Sequence, residues 1–342
     1  MRIPASTWHQ PLFVRALLTL LAVLGAAPSR AEETPPAASG FFGSFEGHYL
    51  ENIGEKTRWG LQFDSLSPGG RALDVRPKWG GGGRVGLGYN AAAGWDVVAF
   101  GDADWLSSDH RQSGSYGQTL FVQTLQLPPA SFPGALENPG TEATASTAYN
   151  YVDLEAGYNA KLASWISARL FGGLRYANFD QNIEVSGVSS PFVNTVMLDN
   201  TREVGYWGVG PRVGGSARLR VCESPFYLVA STSGAVMIGD MKVRDRQNFT
   251  VGSTLNAAVG AQTSTTERTA FNAEGELGVL YDISPVLQGL DVTVGYRLSS
   301  WFGVNDTRTA TPAAFGLNPT TSGESHANVV TQGIFLRLNV RY

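Results

Sequence analysis

Cysteine is nearly absent from the sequence, since Cys222 is the only one among 342 residues. A single cysteine cannot close an intramolecular disulfide, so the chain is not a disulfide-stapled scaffold. It also cannot supply the ligands of a cysteine-based zinc or iron–sulfur cluster. The folded protein must therefore be held together by packing and hydrogen bonding.

Charged residues are also scarce. They make up 16% of the chain, against roughly 25% in an average soluble domain. By contrast, 41 glycines and 37 aromatic residues are present. Such an apolar and aromatic chain of low net charge disfavours intrinsic disorder. The length allows two soluble domains or one large all-β unit, and the composition favours the second.

Long hydrophobic runs are missing after the N-terminus. The two longest uncharged stretches, residues 117–136 and 247–266, are rich in Gln, Ser, Thr, Gly and Pro, so neither is predicted to be a transmembrane helix. At the N-terminus, Arg2 and Arg15 precede an apolar stretch of about 12 residues, too short for the ~20 of a membrane-spanning helix.

This N-terminal pattern is typical of an export signal. Ser29 and Ala31 supply the small residues that a signal peptidase reads, which predicts a cleaved signal peptide at residues 1–31. The Pro-rich segment 32–40 is expected to be a disordered leader, followed by a single domain at 41–342. Cleavage removes three arginines and no acid, leaving 22 basic against 29 acidic residues and a charge of −7. That charge argues against nucleic acid as a partner.

Apolar and polar residues alternate over most of the mature chain. In residues 165–181, Ile166, Leu170 and Leu174 share one parity, whereas Arg169 and Arg175 share the other. The pattern recurs in 269–282 and 290–299 and, more weakly, in several other segments. A period of two predicts β-strands with one apolar face and one polar, water-exposed face.

The connections between these strands alternate in length. Short links are expected at 91–94, 162–164, 222–225 and 284–289, and long ones at 51–80, 107–147, 186–201, 247–268 and 305–325. Short turns at one end and long loops at the other are typical of transmembrane β-barrels. We therefore predict an all-β fold, an antiparallel transmembrane barrel of about ten strands. Its short turns would be periplasmic and its long loops extracellular.

The chain ends on an amphipathic strand with a terminal aromatic residue. Its apolar face consists of Ile334, Leu336, Leu338, Val340 and Tyr342. This ending resembles the C-terminal signal that bacterial outer-membrane barrels present to their insertion machinery. The alternative is an edge strand of a soluble β-sandwich, but so apolar an edge would promote aggregation in water.

Several segments also resemble one family in order and spacing. WGGGGRVGLGYN, GWDVVAFGDADW, RLFGGLRYANFDQ, GVGPRVGGSARLRV, GELGVLYD and VGYRLSSWFGVN are similar to segments of the Legionella-type major outer membrane protein family. The similarity covers about residues 80–342, whereas 41–79 match loosely and the loops do not. The positions that agree with the family's pattern are Arg175, Tyr176, Gly210, Arg212, Tyr296, Trp301 and Phe302. The resemblance implies an outer-membrane, porin-like barrel without fixing what passes through it.

If the apolar parity faces lipid, the charged parity faces the barrel interior. The predicted pore-lining residues are Arg84, Asp96, Asp102, Asp104, Asp153, Glu155, Arg169, Arg175, Arg212, Arg218, Arg220, Glu274, Glu276, Arg297 and Arg337. Facing acidic and basic walls could orient solutes in a narrow pore. Alternatively, arginine–carboxylate pairs could satisfy one another and plug the barrel. Ten strands enclose little more than side chains, so a wide diffusive channel is disfavoured.

The longest predicted loop, 107–147, contains the apolar stretch TLFVQTLQLPPASFPGAL. It is expected either to fold inward as a constriction, to rest on the membrane, or to remain an external loop.

Other motifs carry little chemistry. The glycines at 80–83 lack the Lys and Ser/Thr of a phosphate-binding loop. His48, His110 and His326 show no metal-ligand spacing, and no cofactor is expected. Asp102, Asp104, Asp109 and His110 could imitate the site of a barrel hydrolase, but a solvated loop edge explains them as well, so no enzymatic activity is expected.

These observations leave two main functional hypotheses. The first is a porin-like protein that passes ions or small solutes through a narrow charged lumen. The second is a closed structural or adhesive barrel whose surface loops bind partners. In either case we expect contact with outer-membrane lipid and lipopolysaccharide, and with the barrel-assembly machinery through the C-terminal strand. The oligomeric state stays open.

Overall fold

The alternating pattern folds into antiparallel strands throughout the part of the chain that the structure describes. The structure, a computed structural model, describes residues 39–54, 57–64, 70–75, 78–113, 118–122, 135–137, 140–189, 196–251, 255–284, 287, 289–310 and 322–341. The predicted signal peptide and nearly all of the leader lie outside these residues. The strands are β1 (Gly40–Asn52), β2 (Thr57–Asp64), β3 (Gly70–Val75), β4 (Trp79–Asn90), β5 (Trp95–Ser113), β6 (Gln118–Val122), β7 (Ala135–Glu137), β8 (Gly140–Ala163), β9 (Ile166–Ser189), β10 (Val196–Arg220), β11 (Phe226–Val251), β12 (Leu255–Asp282), β13 (Leu290–Ala310) and β14 (Ser322–Arg341).

Ten of these strands close into one antiparallel barrel. Their order around the wall is β1-β14-β13-β12-β11-β10-β9-β8-β5-β4, and β4 pairs again with β1. Closure pairs the first strand with the last, so that Phe45 is opposite Leu338. The predicted all-β barrel of ten strands is thus confirmed, and no sheet edge is left in the wall.

The four remaining strands form a separate sheet at the long-loop end. Its order is β3-β2-β6-β7, with β2 and β3 from the connection between β1 and β4, and β6 and β7 from the connection between β5 and β8. Part of the apolar stretch of the predicted loop 107–147 therefore pairs with another loop, since Leu120 of β6 is opposite Gln62 of β2.

The predicted bounds of the long loops are wrong, because the barrel wall extends well into them. Strand β5 continues to Ser113 and β8 begins at Gly140. Most of 186–201 and 247–268 also lies in strands, and β12 is 28 residues long. Beyond the membrane both faces of the wall contact water, so the apolar–polar contrast that marks a strand fades.

The outer surface carries an apolar belt bounded by two rings of aromatic side chains. The ring near the short turns contains Phe41, Tyr89, Trp95, Tyr158, Trp165, Phe226 and Tyr281, and the opposite ring contains Tyr49, Trp79, Trp105, Trp207, Phe271 and Phe302. From Trp95 to Trp105 the strand rises about 33 Å, or ~25 Å along the barrel axis at the usual tilt of ~40°. That height matches the hydrocarbon thickness crossed by outer-membrane barrels.

Aliphatic side chains fill the space between the two rings. They include Val85, Leu87, Leu154, Leu170, Ile238, Leu277, Val294 and Leu336, all exposed on the outer face. Of the predicted insertion residues, Ile334, Leu336 and Leu338 lie on this face, Val340 is half-buried, and Tyr342 is outside the described residues. Within the described chain, no helical segment has the length and apolar character that a membrane crossing requires.

Candidate functional site in the barrel interior

The inward parity brings most of the predicted charged residues together inside the barrel. Buried are Asp96, Asp102, Asp104, Asp153, Glu155, Arg175, Arg212, Glu274, Glu276 and Arg297, and half-buried are Arg84, Arg169 and Arg337. Arg218 and Arg220 lie exposed near the short turns, where Arg220 Nε donates to the carbonyl of Ser224 at 3.3 Å. Arg220 therefore stands apart from the interior group, whereas Arg218 lies at its edge, within electrostatic reach of Asp291, Arg337 and Arg341.

Arg175 is the most enclosed of these side chains. Its Nε and Nη2 atoms each lie 2.7 Å from one carboxylate oxygen of Asp153, while Nη1 lies 2.9 Å from Glu274 Oε1. Nη1 also donates to Asn272, and the guanidinium lies 4.0 Å from the centre of the Tyr151 ring. A buried arginine is stable only when its donors are satisfied in this way.

A second group surrounds Asp102. Asp102 Oδ2 accepts from Arg84 Nε at 2.8 Å, from Tyr151 Oη at 2.8 Å and from Arg297 Nη1 at 3.2 Å. Arg297 Nε continues to Glu276 Oε1 at 3.1 Å, and Arg337 Nη2 lies 2.7 Å from Glu276 Oε2. The two groups share Tyr151, so the ion pairs form one continuous network.

A third group lies towards the short turns. Arg169 binds Asp96 through Nη2 at 2.6 Å and Glu155 through Nη1 at 3.0 Å, and Arg212 also pairs with Glu155. Arg212 Nη2 reaches Glu274 Oε2 at 3.3 Å, which joins this group to that of Arg175.

Acidic and basic strands interleave around the interior in groups of one or two neighbouring strands, and they do not form one acidic wall facing one basic wall. The expectation of a transverse field between such walls is wrong because strand pairing places opposite charges side by side. Asp153 of β8 is opposite Arg175 of β9, Arg84 of β4 is opposite Asp102 of β5, and Glu276 of β12 is opposite Arg297 of β13.

An apolar and aromatic layer lies above the ion pairs, on the long-loop side. Tyr149 and Tyr151 pack against Trp301 with ring centres 5.8 and 6.0 Å apart. The rest of this layer comprises Leu50, Leu106, Ala177, Phe179, Val204, Tyr206, Met237, Met241, Val243, Ala270, Val304 and Val329. Among the described residues, the interior is thus filled by two stacked layers, one charged and one apolar.

A cleft of about 540 Å³ lies along the wall across the neighbouring strands β5, β8, β9, β10 and β11. Most of its lining residues have the outward parity, among them Trp105, Asp180, Glu203, Lys242 and Arg244. The cleft therefore belongs to the outer face of the wall rather than to the charged interior.

Two inward residues of β1 were missing from the predicted site. Glu46 Oε2 binds Arg337 Nε at 2.6 Å, and His48 contacts Asp104 through Nε2. In β1, Glu46 and His48 alternate with Phe45 and Tyr49, which are exposed on the outer face. This alternation is visible in the sequence and could have identified both residues as inward-facing.

The residues that imitated a hydrolase site do not assemble. Asp102 and Asp104 face inward, but Asp109 has the opposite parity and is exposed. The side chain of His110 lies outside the described part of the chain. A strand cannot present residues of opposite parity to one reaction centre, because they point to different faces of the wall.

Residues 36–342 match the family described as Legionella pneumophila major outer membrane protein precursor. A search of curated proteins finds no match.

Solved structures also align over most of the chain. The outer membrane protease OmpT of Escherichia coli is 12% identical and has a TM-score of 0.44, with 91% of this chain and 99% of that one covered. The translocator domain of autotransporter NalP from Neisseria meningitidis is 11% identical, with a TM-score of 0.34 and 96% of each chain covered. A major outer membrane protein from Thermus thermophilus is 9% identical, with a TM-score of 0.30 and 90% and 100% covered.

Proposed function

Because the chain belongs to the Legionella major outer membrane protein family and is a bacterial outer-membrane barrel, we propose that it is a narrow pore that passes ions or small solutes along its charged interior. The observation that carries this proposal is the charged lining itself. A barrel that only needs filling can be packed with apolar side chains, which avoid the desolvation cost of ions.

The uneven exposure of the interior arginines to water supports a narrow pore rather than an interior that is closed throughout. The side chain of Arg337 is 22% exposed and that of Arg169 17%, whereas that of Arg175 is 0% exposed. Water therefore reaches some of the arginines but not the centre. A pore lined in this way has a small conductance, and its opening requires rearrangement of ion pairs and of the apolar layer.

Single-channel recording of the refolded protein in planar bilayers tests the pore. We expect small discrete conductance steps. Arg337→Gln removes an accessible positive charge, so it should shift the permeability ratio of K⁺ to Cl⁻ towards K⁺. Arg244→Gln is the matched control, because Arg244 pairs with Glu203 at 3.4 Å on the exposed outer face. If the wild-type protein gives no discrete steps, the pore is refuted.

A second function, a closed barrel that binds partners at the cell surface, is favoured by the sheet β3-β2-β6-β7. This sheet belongs to two loops at the end away from the short turns, where an external partner would make contact. Deletion of residues 115–138 separates the two functions. Loss of a surface-binding phenotype with unchanged conductance favours the surface role, whereas altered conductance with unchanged binding favours the pore.

The remaining interactions are proposals of the same kind. The exposed belt would contact outer-membrane lipid and lipopolysaccharide, and β14 would engage the assembly machinery through Ile334, Leu336 and Leu338. We also propose that the barrel has no catalytic activity, since Asp102 and Asp104 are buried.

A further inference from the structure

We propose that His48, Asp102 and Asp104, here called the His48 site, bind one divalent transition-metal ion inside the barrel. One potential ligand atom from each of the three side chains lies within 4.8 Å of the others, and all three residues are buried. An imidazole nitrogen with two carboxylate oxygens is a ligand set that suits Zn²⁺ or Mn²⁺.

Strand register brings these ligands together across an intervening strand. His48 of β1 is opposite Gly82 of β4, and Gly82 is opposite Asp104 of β5. A Cβ atom at Gly82 would collide with both His48 Nε2 and Asp104 Oδ1. Glycine therefore leaves a side-chain-sized gap in the wall, and the two ligands meet over it.

Unsatisfied oxygens at the same place point to a missing partner. Asp102 Oδ1 and Asp104 Oδ2 are buried and have no hydrogen-bond partner among the described residues. An ionised carboxylate oxygen without a donor is costly in a buried site. Asp102 Oδ1 is also the atom that lies 3.9 Å from His48 Nε2, so a cation held between the three side chains would supply the partner that this oxygen lacks.

The distances suit a small ion. His48 Nε2 lies 3.9 Å from Asp102 Oδ1. In a tetrahedral site with bonds of about 2.0–2.2 Å, ligand atoms are roughly 3.4 Å apart. To admit the ion, the direct contact between His48 Nε2 and Asp104 has to open, and Asp102 Oδ1 has to approach His48 Nε2 by about 0.5 Å.

Neighbouring side chains hydrogen-bond to the proposed ligands and hold them in position. His48 Nδ1 lies 3.3 Å from Glu46 Oε1, and such a contact orients the ring so that Nε2 is free to ligate. The other oxygen of Asp102 is held by Arg84, Arg297 and Tyr151. Asp102 can therefore offer Oδ1 without turning.

Metal binding by the full refolded chain tests the proposal. After removal of metal and dialysis against Zn²⁺, we expect one zinc ion per chain by elemental analysis. Co²⁺ should give the visible absorption of a low-coordinate nitrogen–oxygen site. His48→Gln and Asp104→Asn should each abolish this spectrum, and Glu46→Gln should weaken binding about 10–100-fold.

Asp291→Asn is the matched control. Asp291 is a buried interior carboxylate paired with Arg341 at 2.5 Å, and it should leave Co²⁺ binding unchanged. Folding of every variant is checked by its heat-dependent shift in electrophoretic mobility. If a ligand variant does not fold, X-ray absorption of the wild-type zinc complex decides, because the site requires one imidazole among the ligands. Wild-type protein without stoichiometric zinc, an all-oxygen shell, or unchanged binding in the folded ligand variants overturns the proposal.

Discussion

Arg175 and Asp153 form a two-pronged ion pair across the β8–β9 ladder, with both nitrogen–oxygen distances at 2.7 Å. Neither side chain is more than 2% exposed. Strands β8 and β9, which already pair through their backbones, are thereby also connected by side chains inside the barrel. The same pair connects onward to Glu274 of β12, on the other side of the barrel.

Arg175→Met should destabilise the barrel by about 3–5 kcal/mol, because it removes the two-pronged partner of buried Asp153 and leaves Asp153 and Glu274 only longer arginine contacts, such as those with Arg212. Urea unfolding in lipid vesicles, followed by tryptophan fluorescence, measures the change. Arg244→Met serves as the control and should have little effect, since its ion pair is exposed. Equal stability of the two variants would show that the Arg175 pair does not hold the interior together.

The apolar belt predicts a depth-dependent cost for charge on the outer face. Val85, which is 55% exposed, lies between the two aromatic rings. Val85→Arg should cost about 2–4 kcal/mol of stability in vesicles. Leu287→Arg introduces the same charge at a similarly exposed residue in a short turn and should cost ~1 kcal/mol or less. An equal cost at both positions would argue against a lipid boundary at the rings.

Gly303 has a positive φ of 79° beside the register shift between Trp301 and Asn305. Because a residue with a Cβ is strained there, Gly303→Ala should lower stability by about 1–2 kcal/mol. Gly101→Ala is the control, since a Cβ at Gly101 meets nothing within 4 Å. Thermal unfolding of the two variants compares them, and a destabilised Gly101→Ala with an unaffected Gly303→Ala would contradict this explanation.

If β14 is recognised by the barrel-assembly machinery, a change on its outer face should affect folding in cells more than refolding of the purified protein. Leu338→Asn changes an exposed residue that pairs with Phe45 at barrel closure. We expect less folded protein in the outer membrane of cells but nearly normal refolding in detergent, since the recognition surface is altered more than the packing. The ratio of heat-shifted to unshifted bands measures both yields. A parallel loss in both settings would indicate damaged barrel closure instead.

The sequence alone determined the barrel, because a wall between lipid and a charged interior imposes alternation on every strand that crosses it. That alternation identified ten strands, the lipid-facing parity and most of the interior charges. It failed where both faces of the wall are wet, so the loops predicted at 186–201 and 247–268 turned out to be largely strand. Arg220 was included with the interior group because parity does not report how near a residue lies to the end of a strand.

Only the tertiary structure decided which charges meet. Strand register pairs Asp153 with Arg175 and Arg84 with Asp102, so the charges interleave where strand-by-strand grouping had suggested opposed walls. Register also places His48 and Asp104, which are 56 residues apart, over Gly82. Sequence spacing cannot show such a cluster, because its members share no strand and meet only when the sheet closes.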